Sequence, residues 1–365
     1  MKGIALLAAL LAASSPASAA KPWRFAVSGD SRNCGDVVVP AIAAGAKKEG
    51  AKFYWHLGDL RATYTFDQDM LAERGGHLTI SAYLKDEWND FIENQILPFG
   101  RLPFFLGIGN HETIPPKTRE QYLLQFADWL DSPVLRAQRL ADDPEDHRIK
   151  AYYHWKQGGV DFVTLDNATE DQFDGAQVAW LEKVLERDRS DAAARGVVVG
   201  MHRALPNSYS CGHSMNESAQ GVASGRRAYR DLLKWTRETG KPVAVVASHS
   251  HFVMNDLYDT PYWNDKSAGD RGVLPGWIVG TAGAIRYPLP GSLPPGIFAK
   301  TGVYGYLLAE VAPDGKASFQ FKEVTRADVP AAVVAKFGGK LVDECFSGNK
   351  ESGPLPPLPA SCSDR

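Results

Sequence analysis

Short apolar runs alternate along the chain with segments of helical period, and each run breaks off at a glycine or a polar residue. Arg24–Ser28 predicts a strand that stops at Gly29–Asp30. Val37–Lys48 has the period of a helix, with Pro40 tolerable in its first turn. Lys52–Leu57 predicts a second strand, ending at Gly58–Asp59, and Pro103–Ile108 a third, ending at Gly109–Asn110–His111–Glu112. Ile80–Leu97 and Arg119–Leu130 carry helical periodicity between and after them. Ala151–Gln157 and Val160–Leu165 flank Gly158–Gly159 as a hairpin. Gln177–Arg187 sets Val178, Leu181, Val184 and Leu185 on one helical face. Gly196–Met201 is an apolar strand running into His202, and Arg226–Glu238 is a helix. Pro242–Ala247 is a strand running into Ser248–His249–Ser250–His251. Trp277–Val279, Tyr304–Val311 and Ser318–Glu323 read as late strands. This alternation predicts an α/β fold with the strands central, and the strand-rich end suggests a second sheet packed on the first. No repeat or long linker divides the chain. Residues 343–365, rich in Pro, Gly and Ser, read as a covering tail.

Composition adds little: the chain is 44% hydrophobic and 23% charged, as an ordinary globular protein is. A net charge of −3 gives no basic excess, so nothing indicates nucleic acid as a partner. The N-terminus says more. Lys2 precedes the apolar run Ile4–Ala13 and then the small residues Ser14–Ala20, which predicts a signal peptide over 1–20 and a secreted or periplasmic protein. That run is short for a bilayer, and no later stretch reaches the ~20 apolar residues of a membrane span. Export permits disulfides. Cys34, Cys211, Cys345 and Cys362 allow three pairings, besides the alternative of free buried thiols. Cys345 and Cys362 flank the tail and could close a local loop, leaving Cys34 to Cys211; that is the expected pairing.

The polar residues that end the strands carry the chemistry. Asp30, Asp59, Asn110–His111, His202, and His249 with His251 all sit at the carboxyl ends of predicted strands, where ligands gather in open α/β sheets. Singly, each is an ordinary turn, cap or loop residue. Together they form a mixed oxygen and nitrogen donor set suited to Mn, Zn or Fe. In order, Gly29–Asp30, Gly58–Asp59, Gly109–Asn110–His111–Glu112, Gly200–Met201–His202 and Ser248–His249–Ser250–His251 resemble the motifs of the calcineurin-like metallophosphoesterase superfamily, to which purple acid phosphatases belong. The resemblance spans about residues 24 to 310.

It implies a layered α/β/β/α sandwich, with a catalytic domain over 21–342, and a hydrolase of phosphomonoesters or phosphodiesters that uses one or two metal ions and a metal-activated water. By the resemblance, Asp59 would bridge two metals, with Asn110, His202 and His249 completing one site and Asp30 and His251 belonging to the other. His111 would stand near the leaving group. The partner implied is a small-molecule or phosphorylated substrate.

Two positions depart from the family pattern. Arg32 stands where the family usually has a histidine ligand, and a guanidinium has no lone pair to give a metal. Ala62 stands where relatives carry a tyrosine ligand or an aspartate that orients the catalytic histidine; Tyr64 is displaced by two. Arg32 then either replaces part of the missing ion's role by binding phosphate bidentately, or turns away into an ion pair while water or Tyr64 completes the metal site. These losses also keep open a degenerate, non-catalytic member that binds a phosphate ligand or partner. Arg203, Asn207, Tyr209 and His213, in the loop after His202, are candidate pocket residues. His56, His77, His147 and His154 lack motif context.

Overall fold

A computed structural model describes residues 21–169, 172–291 and 293–351. The signal segment expected over 1–20, and Cys362, lie outside the described residues. The strands are β1 (Trp23–Ser28), β2 (Ala51–His56), β3 (Phe104–Leu106), β4 (Tyr153–Gln157), β5 (Val160–Thr164), β6 (Gly196–Met201), β7 (Val243–Ala247), β8 (Val253–Met254), β9 (Gly276–Val279), β10 (Ala299–Lys300), β11 (Tyr304–Val311) and β12 (Ala317–Val324). A five-stranded sheet has the order β12-β11-β1-β2-β3, and a seven-stranded sheet the order β10-β8-β9-β7-β6-β5-β4. In the first, β1, β2 and β3 are parallel; in the second, β5, β6, β7 and β9 are parallel. A second sheet is present, as the late strands suggested, but these strands divide between the two: β9 joins the seven-stranded sheet and β11 and β12 the five-stranded one. β11 pairs antiparallel with β1 and carries β12 beyond it, because its buried face completes the first sheet.

Side-chain alternation along each strand builds the layers. Phe25 and Val27 of β1, Phe53 and Trp55 of β2, Phe162 of β5, Val198 of β6 and Val246 of β7 meet between the sheets. The residues between them point outward. Ala26 and Tyr54 join the cluster under the helix α1 (Gly35–Lys48). Val197, Val199, Val243 and Val245 join the cluster on the opposite face. The layers are therefore α/β/β/α.

The remaining helices are α2 (Gln68–Glu73), α3 (Ile80–Phe91), α4 (Arg119–Gln125), α5 (Ala127–Leu130), α6 (Pro133–Asp142), α7 (Gly175–Ser190), α8 (Ala219–Thr239), α9 (Pro261–Asn264), α10 (Ala331–Phe337) and α11 (Gly339–Ser347). The helical stretch read over 80–97 loses its α-form at Ile92, where a π-turn (Ile92–Ile96) and a 3-10 turn (Leu97–Phe99) follow. α8 starts earlier than its apolar period, at the Ser218 cap, whose hydroxyl accepts from Gly221 N.

The disulfide pairing differs from the expectation. Cys34 bonds Cys345 across 311 residues of sequence. The cause is α11: it packs Leu341, Val342 and Cys345 into the cluster around α1, whose first turn follows Cys34. The start of the expected tail is thus helical and covalently tied to the loop after β1. Cys211 is also disulfide-bonded, but not to Cys34. Arg286 fastens the same corner, donating to the carbonyls of Cys345, Phe346 and Asn349 at the end of α11.

Candidate metal centre

The loops that leave β1, β2, β3, β6 and β7 converge at the carboxyl ends of their strands, as parallel strands require. Asp30, Asp59 and His249 each hold a positive φ, at 60°, 58° and 66°. Non-glycine residues rarely adopt that region, and its cost, about 1–3 kcal/mol each, marks positions where side-chain direction matters more than backbone comfort. Gly58 and Gly109 allow the loops after β2 and β3 to touch: a Cβ on Gly58 would lie 2.3 Å from Gly109 N, and one on Gly109 would lie 2.3 Å from Asp59 Oδ1. Glu112 clamps the two loops. Its Oε2 accepts from Asp59 N (2.9 Å) and Gly109 N (2.7 Å), and its Oε1 from Leu60 N (2.8 Å). Two residues past Asp59, buried Arg61 anchors the loop to α1 through Asp36 (2.7 Å) and to α3 through Asp90.

At the centre, lone pairs crowd together. His202 Nε2 lies 3.0 Å from Asn110 Oδ1, 3.0 Å from His249 Nδ1 and 3.2 Å from Asp59 Oδ1. His202 Nδ1 meets the Leu57 carbonyl at 3.1 Å, which fixes its proton there and turns the Nε2 lone pair inward. Even a charged ring would bring one proton to three acceptors, whereas a cation satisfies all of them. Asp30, Asp59, His202 and His249 can each place a ligand atom within 4.8 Å of the others. Burial works against charge on Asp59, but His111, His202 and Arg32 outweigh it and hold the carboxyl well below its usual range. Burial likewise pushes the His249 imidazole well below its usual value, keeping the ring a neutral donor. This donor set fits a metal.

The other side of Asp59 is different. His251 Nδ1 donates to the Ile285 carbonyl (2.5 Å), so its Nε2 lone pair faces Asp30 Oδ1 at 3.2 Å. Arg32 Nη2 reaches that lone pair at 3.3 Å, and Arg32 Nε stands 4.0 Å from Asp59 Oδ2. The guanidinium is 6% exposed and also donates to the hydroxyls of Tyr64 and Tyr287, each at 3.1 Å. Arg32 therefore points into the site, and the expectation of a structural ion pair turned away from it does not hold. Nor does Tyr64 act as a ligand here: its hydroxyl takes the Arg32 proton while its ring stays 60% exposed. The donor set on this side is poorer: Arg32 stands where a histidine donor is expected and occupies the His251 lone pair, while Asp30 Oδ1 and Asp59 Oδ2 are buried without a hydrogen-bond partner.

His111 stands over Asp59, with Nε2 3.6 Å from Oδ2. Its Nδ1 donates to the Ala62 carbonyl at 2.7 Å. Ala62 thus orients His111 through its backbone, a role its side chain could not take. Burial pushes this imidazole down to about 4, against the pull of Asp59.

The candidates from the loop after His202 separate. His213 is half-buried near the centre, its ring 5.6 Å from His249 and stacked on Tyr287 at 5.3 Å. Arg203 pairs with Glu217 at 2.6 Å beside them. Tyr209 points elsewhere: its hydroxyl donates to the Asp259 carbonyl and its ring packs in the outer core. Asn207 accepts from Arg226 at 2.8 Å and serves the same packing. Sequence reasoning missed Tyr287, whose ring stacks on His251 at 3.9 Å, and the whole strap 281–287 after β9.

Comparison with known proteins bears on the fold and the family. Of the solved structures, a purple acid phosphatase, PPD1, from yellow lupin (Lupinus luteus) seeds is similar at TM-score 0.54 and 17% identity, over 83% of this chain and 52% of that one. The chain thus spans about half the length of that phosphatase. The structure of PhoD is similar at TM-score 0.49 and 14% identity, over 91% of this chain and 78% of that one. No curated protein matches in sequence. Residues 24–253 match the family described as calcineurin-like phosphoesterase, a span that contains every strand-end donor above. The chain belongs to the calcineurin-like phosphoesterase family.

Proposed function

We propose that this protein is a metal-dependent hydrolase of phosphoesters, exported from the cytoplasm, with its catalytic domain over 21–342. The observation that carries the reading is the convergence of Asp59 Oδ1, Asn110 Oδ1 and His249 Nδ1 on His202 Nε2. An ion held by these residues supplies Lewis-acid polarisation of a phosphoryl oxygen and a lowered pKa for a coordinated water. The protein's own groups do the rest. Asp59, Asn110, His202 and His249 fix the ion's place, with Asp30 and His251 bracing the far side. Arg32, held by Tyr64, Tyr287 and His251, turns its charge toward the phosphoryl group, and that charge offsets the phosphoryl oxygens' own as the transition state forms. His111 stands beside the leaving-group oxygen and, when protonated, donates to it from Nε2. Asn110 doubles as a phosphate contact, and Arg203 and His213 line the approach.

The rival reading is a phosphate-binding member without turnover, and Arg32 in the ligand pattern is what favours it. One experiment separates the two. The purified chain is reconstituted separately with Mn, Zn and Fe and offered a chromogenic phosphomonoester and a chromogenic phosphodiester. Metal-dependent hydrolysis of either, abolished by chelation and by His202→Ala, is the expected result. Phosphate binding without hydrolysis under all three metals overturns the hydrolase reading.

A further inference from the structure

We infer that this chain holds one metal ion where its family pattern has two, and that the Arg32 guanidinium is the permanent second cation. The inference rests on the hydrolase reading for its purpose but on geometry for its content. A second ion would need Asp30, His251 and the outer oxygen of Asp59 as donors. The His251 lone pair instead accepts from Arg32 Nη2. The residue that completes the family's ligand set is the arginine itself, which brings charge and no lone pair. The guanidinium is also locked. Tyr64 takes Nη1, Tyr287 takes Nη2, and Tyr287 is held by stacking on His251. Its charge is secure as well, since a guanidinium stays protonated in proteins. An ion placed among the same donors would sit against this fixed positive charge in a dry site, where repulsion is strong.

The same geometry leaves a seat for an anion. Arg32 Nε is buried without a hydrogen-bond partner, with Asp59 Oδ2 4.0 Å away, while Nη2 is engaged by His251 and Tyr287. Both tyrosine hydroxyls accept from Arg32, so their own protons are directed away from it. Arg32, Tyr64 and Tyr287 form a donor cluster beside the ion, and two phosphoryl oxygens are the group that matches it. The guanidinium thus supplies the electrostatics of the missing ion without exchanging with solvent metals.

The test is metal stoichiometry by elemental analysis on the purified full chain, with manganese electron paramagnetic resonance on the same samples. The expected result is one metal per chain and an isolated manganese signal. Arg32→His, which restores an imidazole at this position, should take up a second metal and give an exchange-coupled signal. Arg32→Lys keeps the charge and should stay at one. Inorganic phosphate should bind Arg32→Ala roughly 10–100-fold more weakly than the parent, the loss of charged hydrogen bonds. Two coupled metals in the parent chain overturn the inference and leave the hydrolase reading standing. One metal with no turnover sinks that reading and supports the stoichiometry. Unchanged phosphate affinity in Arg32→Ala overturns the anion seat.

Discussion

Glu112 binds no metal in this reading, yet Glu112→Gln should loosen the site as surely as loss of a ligand. The carboxylate accepts three backbone N–H groups, from Asp59, Gly109 and Leu60, and is fully buried. Glutamine has the same shape but one acceptor oxygen fewer. With its carbonyl kept on Asp59 and Gly109, its NH₂ faces the N–H of Leu60, and donor meets donor. Two buried polar groups then lack partners, at about 1–3 kcal/mol each, or about 2–6 kcal/mol together. A chain of this length unfolds with an entropy near 0.7 kcal/mol per kelvin, so the melting temperature should fall by about 3–8 °C. Part of that strain is relieved if the loops after β2 and β3 separate, which displaces Asp59 and Asn110 from the centre. Metal affinity should drop on the order of 10–100-fold, as when a residue supporting a ligand is lost. Calorimetry with and without metal, and competition against a chromogenic chelator, measure both effects. A melting point within about 1 °C of the parent, with unchanged metal affinity, would refute the clamp.

Gly109→Ala should damage metal binding more than stability, since its Cβ would press on Asp59 Oδ1 at 2.3 Å; a chelator titration shows it. Replacing Cys34 and Cys345 together by alanine should cost about 2–5 kcal/mol in urea unfolding, and reductant should then no longer shift the midpoint through this bond. His154, far from the centre, is held between Asp161 (2.7 Å) and Asp142 (2.5 Å). Burial opposes its charge, but the two carboxylates raise its pKa to about 9. Its ion pairs therefore stabilise the fold fully below about pH 6.5, the unfolded value, and the contribution is lost as pH rises through 9. Between pH 6 and 9.5 the parent should lose more stability than His154→Gln, on the order of 1–3 kcal/mol because burial also pushes the Asp161 carboxyl up to about 7, measured by urea unfolding at both pH values; equal losses would remove His154 from the account.

That Asp30, Asp59, Asn110, His202, His249 and His251 would meet was legible because each follows an apolar run that ends abruptly, and parallel strands bring such ends together. What was not legible had no local signal. The Ala62 carbonyl orients His111, and any residue carries a carbonyl, so no side chain announces the role. Tyr287 lies in a strap without periodicity, and its place depends on how β9 enters the second sheet. The partner of Cys34 depends on where α11 packs, which spacing along the chain does not encode. Arg32 was visible as a departure, but its direction is set by Tyr64, Tyr287 and His251, residues up to 255 positions away.

The first sheet has a consequence for the order in which the protein is made. β1 carries the first donor at its end, yet it is flanked on one side by β11, whose residues 304–311 are made far later in the chain than β1. Until residues 304–324 arrive, β1 presents an open edge able to pair with another chain. The bond from Cys34 to Cys345 closes later still. The metal site therefore matures only after residues 304–345 have been made. Chains cut short before β11 should be lost to aggregation rather than persist as partly active fragments.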